Sequence, residues 1–185
     1  MKRCNWSNIS QKMTNYHDNE WGVLKNDDTK FFEIFCLEIM QSGLSWEIIL
    51  NKREYLKEAF DNFDFNIISN YKENKISTLM ENKNIIRNNL KILAIINNAN
   101  KFIDLLKEYN NFNNFLNKYI DNYPIINNYK FENEIPSYND LSIKLVKVLK
   151  NKGFKFIGPT IMYSFLQASG IINDHISKCD FKYIN

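Results

Sequence analysis

The sequence lacks any run of about eighteen apolar residues, so no membrane-spanning helix is expected. Its opening, MKRCNWSNIS, carries a basic pair but no apolar stretch behind it, which excludes a secretory leader and points to a cytoplasmic protein. Cysteine is scarce: 3 residues, an odd number, argue against a disulfide framework. Charge of one sign is also lacking. The 24 basic and 21 acidic side chains leave a net +3, compatible with an anionic partner but not evidence for one. Of the basic residues only Arg3, Arg53 and Arg87 are arginine, and there are only 2 His. Against this background of Asn, Lys and Ile, a surviving Arg, His, Cys or Trp carries more information than usual. No segment alternates apolar and polar residues as a half-buried strand does.

What is present suffices for a core. Apolar residues make up 44% and aromatic residues 15% of 185 residues, which suits one domain, 1–185, of two joined helical lobes. Phe31, Phe32, Phe35 and Ile39 recur at helical spacing over 28–40, behind Asp27 or Asp28 as cap. Ser45 then caps a helix over 46–60. Asp64 starts a short helix and 77–80 forms another. A long helix over 85–106 is expected, with Ile85, Ile86, Leu93, Ile96, Ala99, Ile103 and Leu106 on its apolar stripe. Phe112, Phe115, Leu116 and Tyr119 give a short helix within the Asn-rich stretch 110–128, and 129–138 reads as loop. A helix over 141–150 stops at Gly153, and Pro159 opens a last helix that closes at Gly170. The fold class is all-α.

Two features suggest chemistry. The segment Gly153-Phe154-Lys155-Phe156-Ile157-Gly158-Pro159-Thr160 joins two helices through a turn bounded by glycines, with Lys144, Lys147, Lys150, Lys152 and Lys155 around it. Such a helix-hairpin-helix can hold a nucleic-acid backbone through amides at a helix N-terminus without reading bases. A plain hairpin with a solvated lysine face fits the same spacing. The second feature is a donor set: Cys4 and His17 near one end, His175 and Cys179 near the other. Two thiolates and two imidazoles fill a tetrahedral zinc shell and leave no place for water, so such a site ties the ends together. The spacing of four between His175 and Cys179 puts both on one face of a helical turn. The competing reading is four unrelated residues, since a close Cys pair is missing. Cys36, among Phe32, Phe35 and Ile39, reads as a small core residue.

Several motifs stand in register: Tyr16-His17-Asp18-Asn19-Glu20-Trp21-Gly22-Val23, Phe35-Cys36-Leu37-Glu38, Gln41-Ser42-Gly43-Leu44-Ser45-Trp46, the hairpin above, and Asn173-Asp174-His175. Together they resemble the 3-methyladenine DNA glycosylase I family, a branch of the helix-hairpin-helix glycosylases, over nearly the whole chain. The resemblance implies a compact helical fold and hydrolytic release of 3-methyladenine from alkylated double-stranded DNA, without strand cleavage. It implies one structural zinc on Cys4, His17, His175 and Cys179. It also implies a base pocket of Tyr16, Glu38 and Trp46, and a monomer that needs no protein partner and works at the bacterial nucleoid. Asn84, where family members often have Gly, departs from the pattern, and 110–129 matches nothing recognisable.

The residues support this chemistry. Alkylation at N3 gives adenine a positive charge and weakens its glycosidic bond, so an enzyme needs mainly to flip the nucleotide, bind the cation and admit water. Glu38, between Leu37 and Ile39, offers a buried carboxylate; Tyr16 and Trp46 offer stacking faces. Core packing is the alternative for Trp46, and support of the zinc site the alternative for Tyr16. Leu44, beside Gly43, is a candidate wedge for the gap left in the base stack, or a plain helix-entry staple. Gly153, Lys155, Gly158 and Thr160 are the candidate phosphate contacts. Asp174 reads as support for His175 or a helix cap, and Asp180 has no identifiable partner. The alternative function is a zinc-stapled DNA-binding module without catalysis, which has no need of Tyr16, Glu38 and Trp46 together.

Overall fold

Side-chain caps set where most helices begin. In the computed structural model, which describes residues 1–183, Ser10 caps α1 (Gln11–Asn19), Asp27 caps α2 (Asp28–Gln41) and Ser45 caps α3 (Trp46–Ala59). Asp64 caps the short α4 (Phe65–Ile68), and α5 (Glu73–Glu81) follows without a side-chain cap. Asn88, Asn111 and Asn139 cap α6 (Asn89–Tyr109), α7 (Phe112–Leu116) and α8 (Asp140–Asn151), before Pro159 opens α9 (Pro159–Ala168). Each cap oxygen accepts an N–H that the helix cannot satisfy itself, so part of the Asn bias has a structural use. The only strands among the described residues are β1 (Ile125–Ile126) and β2 (Ile172–Asn173), paired in parallel. The all-α reading stands. No helix among the described residues is long and apolar enough to cross a membrane.

The centre of the fold is α2. Every residue from Phe31 to Met40 is buried, the pattern of a helix covered on all sides. It packs against α3, α6 and α9. Phe31, Phe102, Phe112 and Phe165, drawn from α2, α6, α7 and α9, meet ring to ring, with centroids 4.9 Å apart for Phe31–Phe112 and 5.4 Å for Phe102–Phe112. The Asn-rich stretch is therefore part of the core: Asp28 also accepts the Phe112 N–H at 2.8 Å, fixing α7 to the start of α2.

Several boundaries differ from the sequence expectation. The long helix starts at Asn89, because the Asn88 side chain accepts the Lys91 N–H at 3.1 Å and leaves Ile85 to Arg87 outside. Its buried stripe is Ile92, Ile95, Ala99, Phe102 and Leu105, while Leu93 is 43% exposed. The expected stripe is out of phase with this one because Ile85 and Ile86, from which it is counted, lie ahead of the helix. The short helix expected at 77–80 spans Glu73–Glu81. Asn84 needs no left-handed backbone: it has no positive φ, and its carbonyl accepts from Lys52 Nζ at 2.8 Å. Helix α1 and the 3-10 turn Asn5–Ile9 had no strong apolar periodicity to announce them.

Candidate active site and metal centre

Helices α1, α2, α3 and α9 converge on a cavity of about 370 Å³, at the small end of the range that holds small molecules. The buried face of α1 supplies Tyr16, and the last turns of α2 supply Glu38 and Gln41. Trp46 stands in the first turn of α3 because Ser45 fixes that start. The Tyr16 and Trp46 rings lie 5.2 Å apart, tilted by 49°. The three site residues expected from the sequence therefore come together.

Glu38 is 3% exposed, and its Oε2 has no hydrogen-bond partner. Trp46 Nε1, also buried, has none either. One acceptor and one donor are thus left unpaired inside an aromatic cavity, where each is costly unless a ligand completes it. Burial pushes the Glu38 carboxyl up to about 8. Burial, then the nearby Glu38 and Glu20, holds Tyr16 well above its ordinary range, so it stays a neutral phenol.

The cavity also contains residues that the sequence reading missed: Trp6, Trp21, Glu132, Ser164 and Gln167 among them. A signal existed. The chain has 3 Trp in all, and Trp6, Trp21 and Trp46 all line this one cavity. Gln167 is held by Asp174, which accepts from its Nε2 at 2.7 Å, from Tyr163 Oη at 2.6 Å and from Asn127 Nδ2 at 2.7 Å. Asp174 is therefore neither a helix cap nor a direct partner of the His175 ring. It is an anchor for the cavity wall. Asp180 does have a partner, the Lys2 N–H at 2.8 Å.

The metal donors assemble next door. Donor atoms of Cys4, His17, His175 and Cys179, all buried, lie within 4.8 Å of one another. Cys179 Sγ is 3.3 Å from His175 Nδ1 and 3.5 Å from His17 Nε2. The outward ring nitrogens are held in turn, His17 Nδ1 by Asp18 at 2.8 Å and His175 Nε2 by the Trp21 carbonyl at 3.2 Å. That is the arrangement by which metal-binding imidazoles are oriented. Arg3 fixes Asp18 from the other side, with contacts of 2.7 to 3.0 Å. The proximity of the two sulfurs pushes the Cys4 thiol up and holds Cys179 down. A set of two sulfurs and two nitrogens, buried and pre-oriented, fits a closed metal site. His175 and Cys179 do not share a helical turn, as their spacing suggested. The segment is held from outside, by Ser177 N–H to Tyr129 O at 2.8 Å and Lys182 Nζ to His175 O at 2.6 Å, and bends through Cys179 N–H to Ile176 O. Trp21 joins the two sites, its ring 4.6 Å from that of His175.

Helices α8 and α9 pack on each other, with Gly153 at φ +90° and Gly158 ahead of Pro159 in the segment between them. Gly158 has no side chain to cap α9, so the first amides of that helix, around Thr160, lack a side-chain partner. They border a cleft of about 360 Å³ with Ser42 and Gly43 on its other wall; Gln41 and Ser164 border both this cleft and the aromatic cavity. Two parts of the hairpin are already engaged. Lys152 Nζ pairs with Glu108 at 2.6 Å, and the Lys155 N–H is taken by Asn98. Leu44 is 37% exposed, next to Gly43 at φ +82°, a conformation that favours glycine.

An aromatic cavity that holds an unpaired buried carboxylate oxygen and an unpaired indole N–H suits a flat, polar ligand that bears positive charge. The methyladenine glycosylase family matches residues 6–183, and the chain belongs to it. DNA-3-methyladenine glycosylase 1 of Escherichia coli (strain K12) is 40% identical over 179 residues, 97% of this chain and 96% of that protein. A crystal structure of a 3-methyladenine DNA glycosylase I superposes with a TM-score of 0.93 at 41% identity, covering 97% of this chain and 98% of the other. The Staphylococcus aureus 3-methyladenine DNA glycosylase I, studied for its recognition of 3-methyladenine, superposes with a TM-score of 0.93 at 33% identity, covering 98% and 97%.

Proposed function

We propose that this chain hydrolyses the N-glycosidic bond of 3-methyladenine in alkylated double-stranded DNA, as a single domain acting alone. The observation that carries the reading is the pair of unpaired buried atoms, Glu38 Oε2 and Trp46 Nε1, inside a cavity lined by every Trp of the chain. The lesion carries a fixed positive charge. Once flipped into the cavity, it faces Glu38, which attracts the charge, and Tyr16 and Trp46, whose ring faces favour a cation by about 0.5–2 kcal/mol each. The C1′–N9 bond then breaks with its electron pair going to the base, which leaves neutral, while water adds at C1′ as the hydroxyl and gives its other proton to solvent. The activated leaving group makes a strong catalytic base unnecessary, and Asp174 is occupied by its three donors. No lysine lines the cavity among the described residues, so no Schiff base forms and the strand is not cut.

Zinc suits the four donors, and held by Cys4, His17, His175 and Cys179 it would have no open position. Its contribution is to clamp the ends of the chain behind Trp21. The hairpin acts as a helix-hairpin-helix: Gly153 and Gly158 shape a turn from which the amides around Thr160 meet a phosphate, with Lys155 nearby, and Leu44 enters the stack where the base has left. Incubation of the purified protein with methylated DNA tests the whole reading. Release of free 3-methyladenine, with the strand intact until alkali is added, is the expected result. Binding without release would leave a zinc-stapled DNA-binding module instead.

A further inference from the structure

Lys91 stands in the first turn of α6, and is 4% exposed. Its Nζ donates to Met40 O at 2.9 Å and to Ser42 O at 2.6 Å. No carboxylate among the described residues contributes to its environment; burial alone lowers its hold on the proton. A buried ammonium without an anion is costly, and is tolerated where polar oxygens surround it. Here those oxygens are Met40 O in the last turn of α2, at its negative dipole end, and Ser42 O at the cap position just after it. Lys91 is thus a cap for α2 supplied by another helix.

The capped segment is the turn between α2 and α3. Its backbone folds through Ser42 N–H to Ile39 O at 3.3 Å and Leu44 N–H to Gln41 O at 2.6 Å. Gln41 borders the base cavity, Ser42 and Gly43 line the cleft that faces the start of α9, and Leu44 projects beyond them. The aromatic cavity and the cleft lie on the two sides of this turn. Gly43 gives it no side chain to pack, and nothing lies within 4 Å of where its Cβ would be, so fixation has to come from below.

We propose that Lys91 is a positioning residue: by holding Met40 O and Ser42 O it fixes the Gln41–Leu44 turn so that Leu44 fills the duplex as the lesion flips. This rests on the glycosylase reading, and it acts on capture of the flipped state rather than on bond breaking. Lys91→Met keeps the apolar stem and removes the ammonium. It should raise KM for a lesion duplex about 10-fold, the size of one hydrogen bond to a charged group, and leave kcat within about 2-fold. Binding of free 3-methyladenine, followed by Trp fluorescence, should stay within about 2-fold of wild type, because the cavity is unchanged. The effect should vanish in a Leu44→Ala background, where there is no wedge to position. Lys91→Gln, which retains a donor, should fall between, and it carries the test if Lys91→Met does not fold. A lower melting temperature with unchanged KM, equal loss of free-base binding, or effects of Lys91→Met and Leu44→Ala that multiply would each overturn the proposal. Wild-type protein that releases no base would overturn the glycosylase reading instead.

Discussion

Asn98 and Lys155 close a two-point ring: Asn98 Nδ2 donates to the Lys155 carbonyl at 2.9 Å, and Asn98 Oδ1 accepts the Lys155 N–H at 2.8 Å. An amide side chain so placed copies a strand neighbour. It lets α6 hold the hairpin at its midpoint, with Asn97 Nδ2 adding a bond to Gly153 O at 2.9 Å.

Replacing Asn98 by Leu should loosen the hairpin and lower the melting temperature, at about 1–3 kcal/mol for the polar groups left unpaired. Affinity for undamaged duplex should fall and free 3-methyladenine should still bind. Titration with each ligand checks both halves. In the same assay Lys155→Ala should weaken binding to all sequences and flatten its salt dependence. Lys152→Ala should do so less, since Glu108 already holds that ammonium.

Glu38 gives a pH signature of known sign. Its folded value, pushed up to about 8 by burial, lies above its ordinary value of 4.5. The native state therefore holds a proton that the unfolded chain has lost, and stability contributed below the ordinary value drains away as pH rises toward 8. Glu38→Gln should remove this slope, so its unfolding free energy should gain on wild type between about pH 5 and 8, by on the order of a few kcal/mol, read from denaturant unfolding at each pH. Excision runs the other way. On the proposed reading, in which the ionised carboxylate pairs with the cation, kcat/KM should rise with pH toward a plateau above about 8, as the free enzyme's ionisation dictates. Glu38→Gln should lower and flatten that profile, and Glu38→Ala should reduce activity further.

Metal removal should be read in the aromatic rings as well as in stability. A chelator, or Cys179→Ser, should lower the melting temperature strongly, because structural sites of this kind contribute several kcal/mol to folding. It should also shift Trp emission, since Trp21 sits 4.6 Å from the His175 ring. Metal analysis of the purified protein should return one zinc per chain.

Gly170 cannot carry a side chain. A Cβ there would lie 2.3 Å from Leu24 N and Val23 C, backbone atoms that cannot swing away, and φ is +75°. Gly170→Ala should destabilise by about 2 kcal/mol or more, visible in thermal unfolding, with the remaining folded protein keeping its base affinity.

The pocket was legible in the sequence where chemistry was concentrated in a few rare residue types. Glu38 announced itself by standing between Leu37 and Ile39 in an apolar helix, and the Cys–His set by including both His of the chain. Lys91 and Asn98 were not legible. Lys and Asn are so common here that a buried one looks like its many solvated neighbours, and both sit beside the wrongly phased stripe of α6. The segment 174–183 was misjudged for a different reason: its geometry is imposed by Tyr129 and Asn127, distant in sequence, which local spacing cannot foresee. The short helix expected within Asn-rich 110–128 is there as α7, legible from its apolar spacing, and its Phe112 and Phe115 lie inside the core.

The donor set also bears on how the chain matures. Cys179 and His17 are separated by 162 residues, and synthesis delivers Cys4 and His17 long before their partners. A ribosome that stalls anywhere ahead of Cys179 releases a polypeptide that cannot complete the set of donors, with Trp21 left without the ring it leans on. The four donors can therefore come together only once residue 179 has been made, so their assembly is a late event in the synthesis of the chain.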